Sequence, residues 1–367
     1  MSGHQLNWGV LGCGHIVHDF TLSLGKAEHN HQVIQVESTL LILKFWVVAV
    51  GASDVERSQK FITERGYDAK AYGSYLEVLN DSNVEVVYIG LRNAEHFEYV
   101  MKALDHGKHV LCEKPLGINA KQVESMVNKA RAKNLFLMQG FWSLFFPAYR
   151  RIAEIIKSKE LGAPRLVNAT FGYSLPESFV NLDRGETMLT CLGCYTIMFA
   201  QFVFGGKPED FSYTGGRNSK NADSWTNLHL KFGENKDAIL LFDERHFLPN
   251  DGFIGFEKGT IKVHGNFWCP TEITLITNEG KDHKTETFPL NDDRSFIYPN
   301  SSGLRYEADH VYKKIKIDHA TQSDIMPLDD ILALQETVDS IRKKMKISFP
   351  QDKMFIYDLM RLMSLTK

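Results

Sequence analysis

At 367 residues, with 43% hydrophobic and 24% charged side chains, the chain has an ordinary globular composition and enough length for two domains. Its 42 basic and 45 acidic side chains leave a formal charge of -3 without long single-sign blocks, which excludes the footprint of a nucleic-acid or membrane-surface binder. Five scattered cysteines, at 13, 112, 191, 194 and 269, form no disulfide framework and point to a reducing compartment.

The opening Met-Ser-Gly-His-Gln has no apolar signal core, so the expected location is cytoplasmic. A first strand, "LNWGVLGCG", then runs into a helix through a glycine-rich turn. Gly12 permits the tight turn, and Gly14 lets the backbone approach a pyrophosphate at the helix N-terminus. Gly9, Gly12, Gly14 and Ile16 are therefore candidate cofactor contacts, although Val17 stands where the dinucleotide fingerprint has its third glycine.

A second strand ends in "VVAVGASD". The run 40–52, "LLILKFWVVAVGA", is interrupted by Lys44 and is shorter than the roughly 18 apolar residues of a membrane span. Two residues compete for the acidic ribose contact: Glu37 lies at the usual sequence distance, while Asp54 ends the better strand. Ser53 and Arg57 flank Asp54 with a hydroxyl and a guanidinium suited to a 2′-phosphate, which favours NADP over NAD. Ser53 and Asp54 also read as the cap of the next helix.

The strands "VEVVYIGL" and "KHVLCEKP" follow, with amphipathic stretches at 54–66 and 96–106 between strands. That alternation predicts a parallel sheet with crossover helices. Pro115 restricts Lys114 to an extended or turn conformation, so the fourth strand stops there. Read alone, Lys114 is either a solvated strand-end charge or a group at the mouth of a site. A helix at 119–133 and the strand "LFLMQG" complete a doubly wound Rossmann domain over 1–138.

Beyond a helix at 147–158, six strand-like runs from "RLVNATFGYS" to "TEITLIT" predict a mostly antiparallel open sheet in an α+β domain over 139–350. Helices at 306–317 and 328–344 pack back on the molecule, and 351–367 form a tail. Cys191 and Cys194 have C-x-x-C spacing but no second ligand pair, so no metal is expected.

In sequence, the glycine turn, "AYGSY", "VYIGLRNAEH", "EKPLGINA", "FFPA", "FWCPTE", "YEADHV" and "FPQDK" resemble the family of glucose-fructose oxidoreductase and inositol dehydrogenase. The resemblance implies that Lys114 is an active-site lysine and that Tyr195, in "CLGCYTIMF", is the general acid/base. It further implies cofactor contacts from Asn93, His96 and Glu113, and a substrate pocket of Trp142, Arg165, Phe171 and Arg217. The activity it implies is NADP-dependent hydride removal from a carbinol of a trans-dihydrodiol or an aldose such as D-xylose, in a homodimer paired through the second-domain sheet.

Several positions depart from the family pattern. Cys191 replaces an aspartate four residues before Tyr195, Leu144 an arginine and Gln139 a glutamate, and the approach "DRGETML" is shortened. About 14 residues, "IQVESTLLILKFWV" at 34–47, are inserted into the second strand, either as an apolar loop or as a competitor for its place in the sheet. The lost carboxylate motivates a second reading, a cofactor-binding paralogue with little turnover.

Overall fold

A computed structural model describes residues 5–25, 32–36, 39–290 and 295–353. In chain order the elements are β1 (Gln5–Leu11), α1 (His15–Leu24), β2 (Gln32–Val36), β3 (Thr39–Gly51), α2 (Val55–Arg65), β4 (Lys70–Tyr72), α3 (Tyr75–Asn80), β5 (Val86–Ile89), α4 (Asn93–Asp105), β6 (His109–Glu113), α5 (Ala120–Lys133) and β7 (Leu137–Gly140). Then come α6 (Pro147–Ser158), β8 (Pro164–Gly172), α7 (Cys194–Phe204), β9 (Asp210–Arg217), β10 (Asp223–Lys231), β11 (Asp237–Asp243), β12 (Gly252–Phe256), β13 (Gly259–Val263), β14 (Glu272–Thr277), β15 (Asp282–Thr287), α8 (Leu304–Tyr312) and α9 (Leu328–Lys344). By contacts the chain divides into two units that interleave in sequence: 1–116, 124–145 and 290–328 form one, and 117–123, 146–289 and 329–367 the other.

The first unit is a sheet in the order β2-β3-β1-β5-β6-β7, with β4 also on β3. All of its pairings are parallel except β2 with β3. All four residues of β5 are buried, as a central parallel strand covered on both faces requires. Trp8, Phe20 and Tyr88 stack in its core, Phe20 lying 3.7 Å from Tyr88 ring to ring at 5°. Asp54 caps α2 by accepting from the Arg57 amide at 2.8 Å, and Gly66 ends the helix in the left-handed region.

The inserted run is no apolar loop, and the second expectation holds in part, since its residues 44–47 take places beside β1. β3 runs unbroken for 13 residues, and its first part pairs antiparallel with β2, from Gln32 opposite Leu43 to Val36 opposite Thr39. Its second part keeps the place beside β1 that a shorter strand would hold, from Gln5 opposite Lys44 to Leu11 opposite Gly51. The described part of the insertion is thus antiparallel edge pairing, which satisfies backbone donors that an apolar loop would leave open. Glu37, one candidate for the ribose contact, lies outside the described residues.

The second unit holds an eight-stranded sheet in the order β15-β14-β13-β12-β8-β11-β10-β9. Only β11 with β8 is parallel. Burial alternates along β9 and β12, the mark of sheet faces in different surroundings. In its core Phe171 stacks on Trp268 at 3.8 Å and 7°, with Phe267 edge-on to both. Among the described residues no helix is long and apolar enough to cross a membrane.

Candidate active site

In the first unit the turn after β1 has the geometry of a phosphate cradle. Gly12 has φ +107°, and a Cβ there would stand 2.7 Å from the Gly90 carbonyl oxygen, so glycine is required. Gly14 caps α1, and a Cβ on it would meet no heavy atom within 4 Å. That open side leaves the amides of the first turn of α1 accessible to a pyrophosphate, so the residues present fit a dinucleotide. Ile16, on this turn, is half-buried.

The missing third glycine has moved to the sheet. Val17 is fully buried, and a Cβ on Gly90 would lie 2.3 Å from a Val17 methyl, so helix and sheet approach closely through Gly90 instead. Gly9 also has a packing role. Its bare Cα accommodates Val78 and Val84, 2.8 Å from a built Cβ, so packing by itself requires a glycine there.

Ser53, Asp54 and Arg57 are exposed at the end of β3 and the start of α2. The Ser53 hydroxyl donates to Asp54 at 3.2 Å, leaving the Arg57 guanidinium as the cation of the trio. Burial pushes the Cys13 thiol, inside the glycine turn, up to about 11, and the Arg57 and Arg65 guanidiniums oppose that rise. Arg57 therefore places positive charge beside the phosphate turn.

Lys114 follows the last residue of β6, half-exposed, at a cis peptide bond to Pro115. The loop around it is pinned from three sides. His96 Nδ1 lies 2.8 Å from the Pro115 carbonyl oxygen, the Leu116 amide donates to Gln139 Oε1 at 2.8 Å, and the Lys114 amide donates to Glu113 Oε2 at 3.3 Å. Gln139, one of the departures from the family pattern, thus accepts a bond that a glutamate could equally accept.

Two expected cofactor contacts face inward here. His96 is fully buried, and both ring nitrogens face backbone carbonyls, Nε2 lying 3.2 Å from that of Leu91. Burial holds its imidazole below the usual range, so the neutral ring donates one bond, to the nearer Pro115 oxygen. Glu113 is buried as well and accepts from the Tyr88 hydroxyl at 2.6 Å. Both residues position Lys114 instead of reaching outward. Asn93 opens α4, half-buried, and Trp142 is buried with Leu144 in a 3-10 turn at Trp142–Phe145.

In the second unit Tyr195 is 7% exposed on α7, its ring 5.7 Å from Phe171. The expected regular helix before it is replaced by a π turn, Leu189–Gly193, which carries the half-exposed Cys191. Such turns concentrate at functional sites. Cys191 and Cys194 are free thiols, and Cys194 donates to the Thr190 carbonyl at 3.0 Å.

Phe171 and Tyr195 are brought together as expected, but the two arginines are not. Arg165 is paired with Glu257 at the surface. Arg217 donates to the carbonyls of Met345 and Lys346 and to Asn221, fixing the chain after α9. Long flexible cations near strand ends find backbone carbonyls readily, a choice that residue type does not reveal.

Sequence reasoning missed Asp223, which reads as a turn residue before a strand. It is buried and accepts from the Leu189 amide at 2.6 Å, at the first residue of the π turn. Burial pushes it up to about 6, opposed by the Leu189 and Thr187 hydrogen bonds. Asp223 and Arg217 line a cavity of about 270 Å³.

Comparison with known proteins places both units in one family. Residues 6–141 match the model of an oxidoreductase family with an NAD-binding Rossmann fold, and 149–262 match the GFO/IDH/MocA C-terminal domain. The trans-1,2-dihydrobenzene-1,2-diol dehydrogenase of Sus scrofa is 34% identical over 355 residues, covering 95% of this chain and 99% of the relative. That of Xenopus tropicalis is 32% identical, covering 94% and 99%.

Among solved structures, a levoglucosan dehydrogenase with NADH and levoglucosan superposes with a TM-score of 0.79 at 15% identity, covering 94% of this chain and 98% of that one. A 3-ketoreductase from Actinomadura kijaniata, in complex with TDP-benzene and NADP, gives 0.71 at 20% identity, covering 92% and 97%. These two likenesses speak for the fold. The sequence matches, spanning both units, establish that this chain belongs to the GFO/IDH/MocA family of NAD(P)-binding oxidoreductases.

Proposed function

We propose that this protein is an NADP-dependent dehydrogenase that removes hydride from a carbinol of a small cyclic trans-dihydrodiol or of an aldose such as D-xylose. The observation that carries this reading is the pinned Lys114 loop at the carboxyl end of a central parallel strand, the edge where open α/β sheets bind ligands. The nicotinamide, when bound, supplies the hydride acceptor. The chain's own task is to take the hydroxyl proton and hold the substrate.

An ammonium at Lys114 stabilises the developing alkoxide, and a tyrosine at 195 is the residue to pass the proton on. The stacked Phe171 and Trp268, with Tyr195 beside them, supply apolar walls of the kind a ring substrate needs. The names of the full-length relatives support the dihydrodiol as a substrate class. Arg57 beside the phosphate turn supports NADP over NAD. The resemblance supports a homodimer, which light scattering of the purified chain tests.

Fluorescence titration with NADPH and NADH, followed by NADP-dependent oxidation of a benzene dihydrodiol and of D-xylose, tests the whole reading. Tighter NADPH binding and turnover of either alcohol are expected. Tight binding with no turnover across a panel of diols and aldoses would favour the second reading, a cofactor-binding paralogue, whose supporting observation is the thiol of Cys191 where the family has a carboxylate.

A further inference from the structure

The strongest unexplained feature is a second acid behind Lys114. Glu307, on α8, is fully buried, and among the described residues neither of its carboxyl oxygens has a hydrogen-bond partner. The charge that bears on it is that of Glu113, itself 7% exposed and bonded to the Tyr88 hydroxyl at 2.6 Å. Two carboxylates in one dry core do not both ionise, since burial and mutual repulsion each penalise the second charge.

We propose that Glu113 and Glu307 hold a single proton between them, carried by Glu307, so that Glu113 remains the lone anion beside Lys114 and keeps the Lys114 amine in its ammonium form. Glu307 is then a positioning residue, acting on Lys114 through Glu113.

The surroundings decide which acid keeps the proton. Glu113 receives the Tyr88 O–H and the Lys114 amide and lies close to the Lys114 charge, all of which favour its anion. Glu307 receives nothing. Burial raises both groups, and it raises Glu307 well above the usual carboxylate range, with the Glu113 charge adding to the rise.

The titratable groups on the packed elements include Lys313, Lys314 and Lys316 of the π turn after α8, Tyr306 and Tyr312 on α8 itself, and Tyr298, on which the Lys114 and Glu113 charges bear. Tyr88, Cys112, Glu113 and Lys114 come from β5, β6 and the loop after it. His18 and Asp19 come from α1, where Asp19 accepts from the amides of Ile297 and Tyr298 at 2.9 and 2.8 Å. On α8 itself, Arg305 faces Asp309 at 3.1 Å and the Leu24 carbonyl at 2.9 Å, and His310 faces Ser323 at 2.9 Å. The 3-10 turns packed on α8, Trp142–Phe145 and Ser301–Gly303, hold no ionisable side chain.

The inference rests on Lys114 as the group at the substrate oxygen, and its tests need neither substrate nor turnover. Infrared difference spectra of the full chain, wild type minus Glu307→Gln, should show the C=O stretch of a protonated buried carboxyl at pH 7. Absence of that band overturns the proposal.

The neutral, nearly isosteric Glu307→Gln should melt higher than wild type at pH 8 and level with it at pH 4. The sign follows because a folded-state pKa above the unfolded value costs stability as pH rises through that window. A variant less stable than wild type at pH 8 overturns it. Amine acylation of Lys114, followed by peptide mass spectrometry, should show its midpoint falling by roughly one pH unit in Glu113→Gln and by less in Glu307→Gln. Equal shifts would mean that both acids are ionised, and would also overturn it.

Discussion

The loop that carries Lys114 and the turn that leads to Tyr195 are built on opposite plans. Around Lys114 the loop backbone is held by hydrogen bonds to His96, Gln139 and Glu113, and the loop lies at the end of a strand paired on both sides. Ahead of Tyr195 the chain is a π turn, held at its first residue by a buried carboxyl and carrying the thiol of Cys191. The difference teaches where this family member keeps its chemistry and where it has changed. The lysine's loop is preorganised through its backbone, whereas the tyrosine's approach is a turn held by a buried acid.

Lys114→Met would break the comparison at its stronger end. Turnover should fall by roughly 10² to 10⁴, the range for a positioned acid-base group, with NADPH affinity unchanged by fluorescence titration. Retained turnover would place the proton transfer elsewhere.

Cys191→Asp sharpens the weaker end. Restoring a carboxylate one turn before Tyr195 should raise the rate up to about 10²-fold, the low end of the same range. A thiol is a poor hydrogen-bonding substitute for it. No gain would put the limit in the shortened segment before the turn or in Leu144.

Asp223→Asn tests what holds the π turn. The folded carboxyl titrates near 6 and an unfolded one near 3.9, so wild type loses stability as pH rises between them. The asparagine retains an acceptor for Leu189 and carries no charge. It should therefore be more stable than wild type at pH 7 by up to about 3 kcal/mol, and level with it at pH 3.5. Equal melting at both pH values would show that the carboxylate is solvated in the folded protein.

Arg57→Ala has the smallest expected effect. NADPH should bind about tenfold more weakly, as the loss of one charge-assisted contact predicts, with NADH little changed. An unchanged NADPH affinity would leave Arg57 no part in nucleotide choice.

The sequence made the order of strands and helices legible, because periodicity and glycine punctuation are local properties. The end of the strand at Lys114, the cap at Asp54 and the helix Pro147–Ser158 all follow from side chains a few residues apart. Phe171 beside Tyr195 was read from resemblance, since two aromatics 24 positions apart carry no local signal of contact. The inward contacts of His96, Glu113 and Gly9 were not legible for a different reason. Each residue type suits both an outward contact and an inward one, and only its buried neighbours distinguish the two.

By itself, then, the sequence determined that a glycine turn follows the first strand, that a lysine ends the fourth strand of the Rossmann pattern, and that a thiol stands four residues before Tyr195. These depend on residue identity and spacing along one strand or helix. Tertiary structure alone decided that β2 pairs antiparallel along β3, that Gly90 makes the room an absent glycine would have made, and that Glu307 comes to Glu113 from about 190 residues away in the chain. Those outcomes depend on which atoms meet across the sheet and its helices, where burial sets the cost of every unpaired charge and every added methyl.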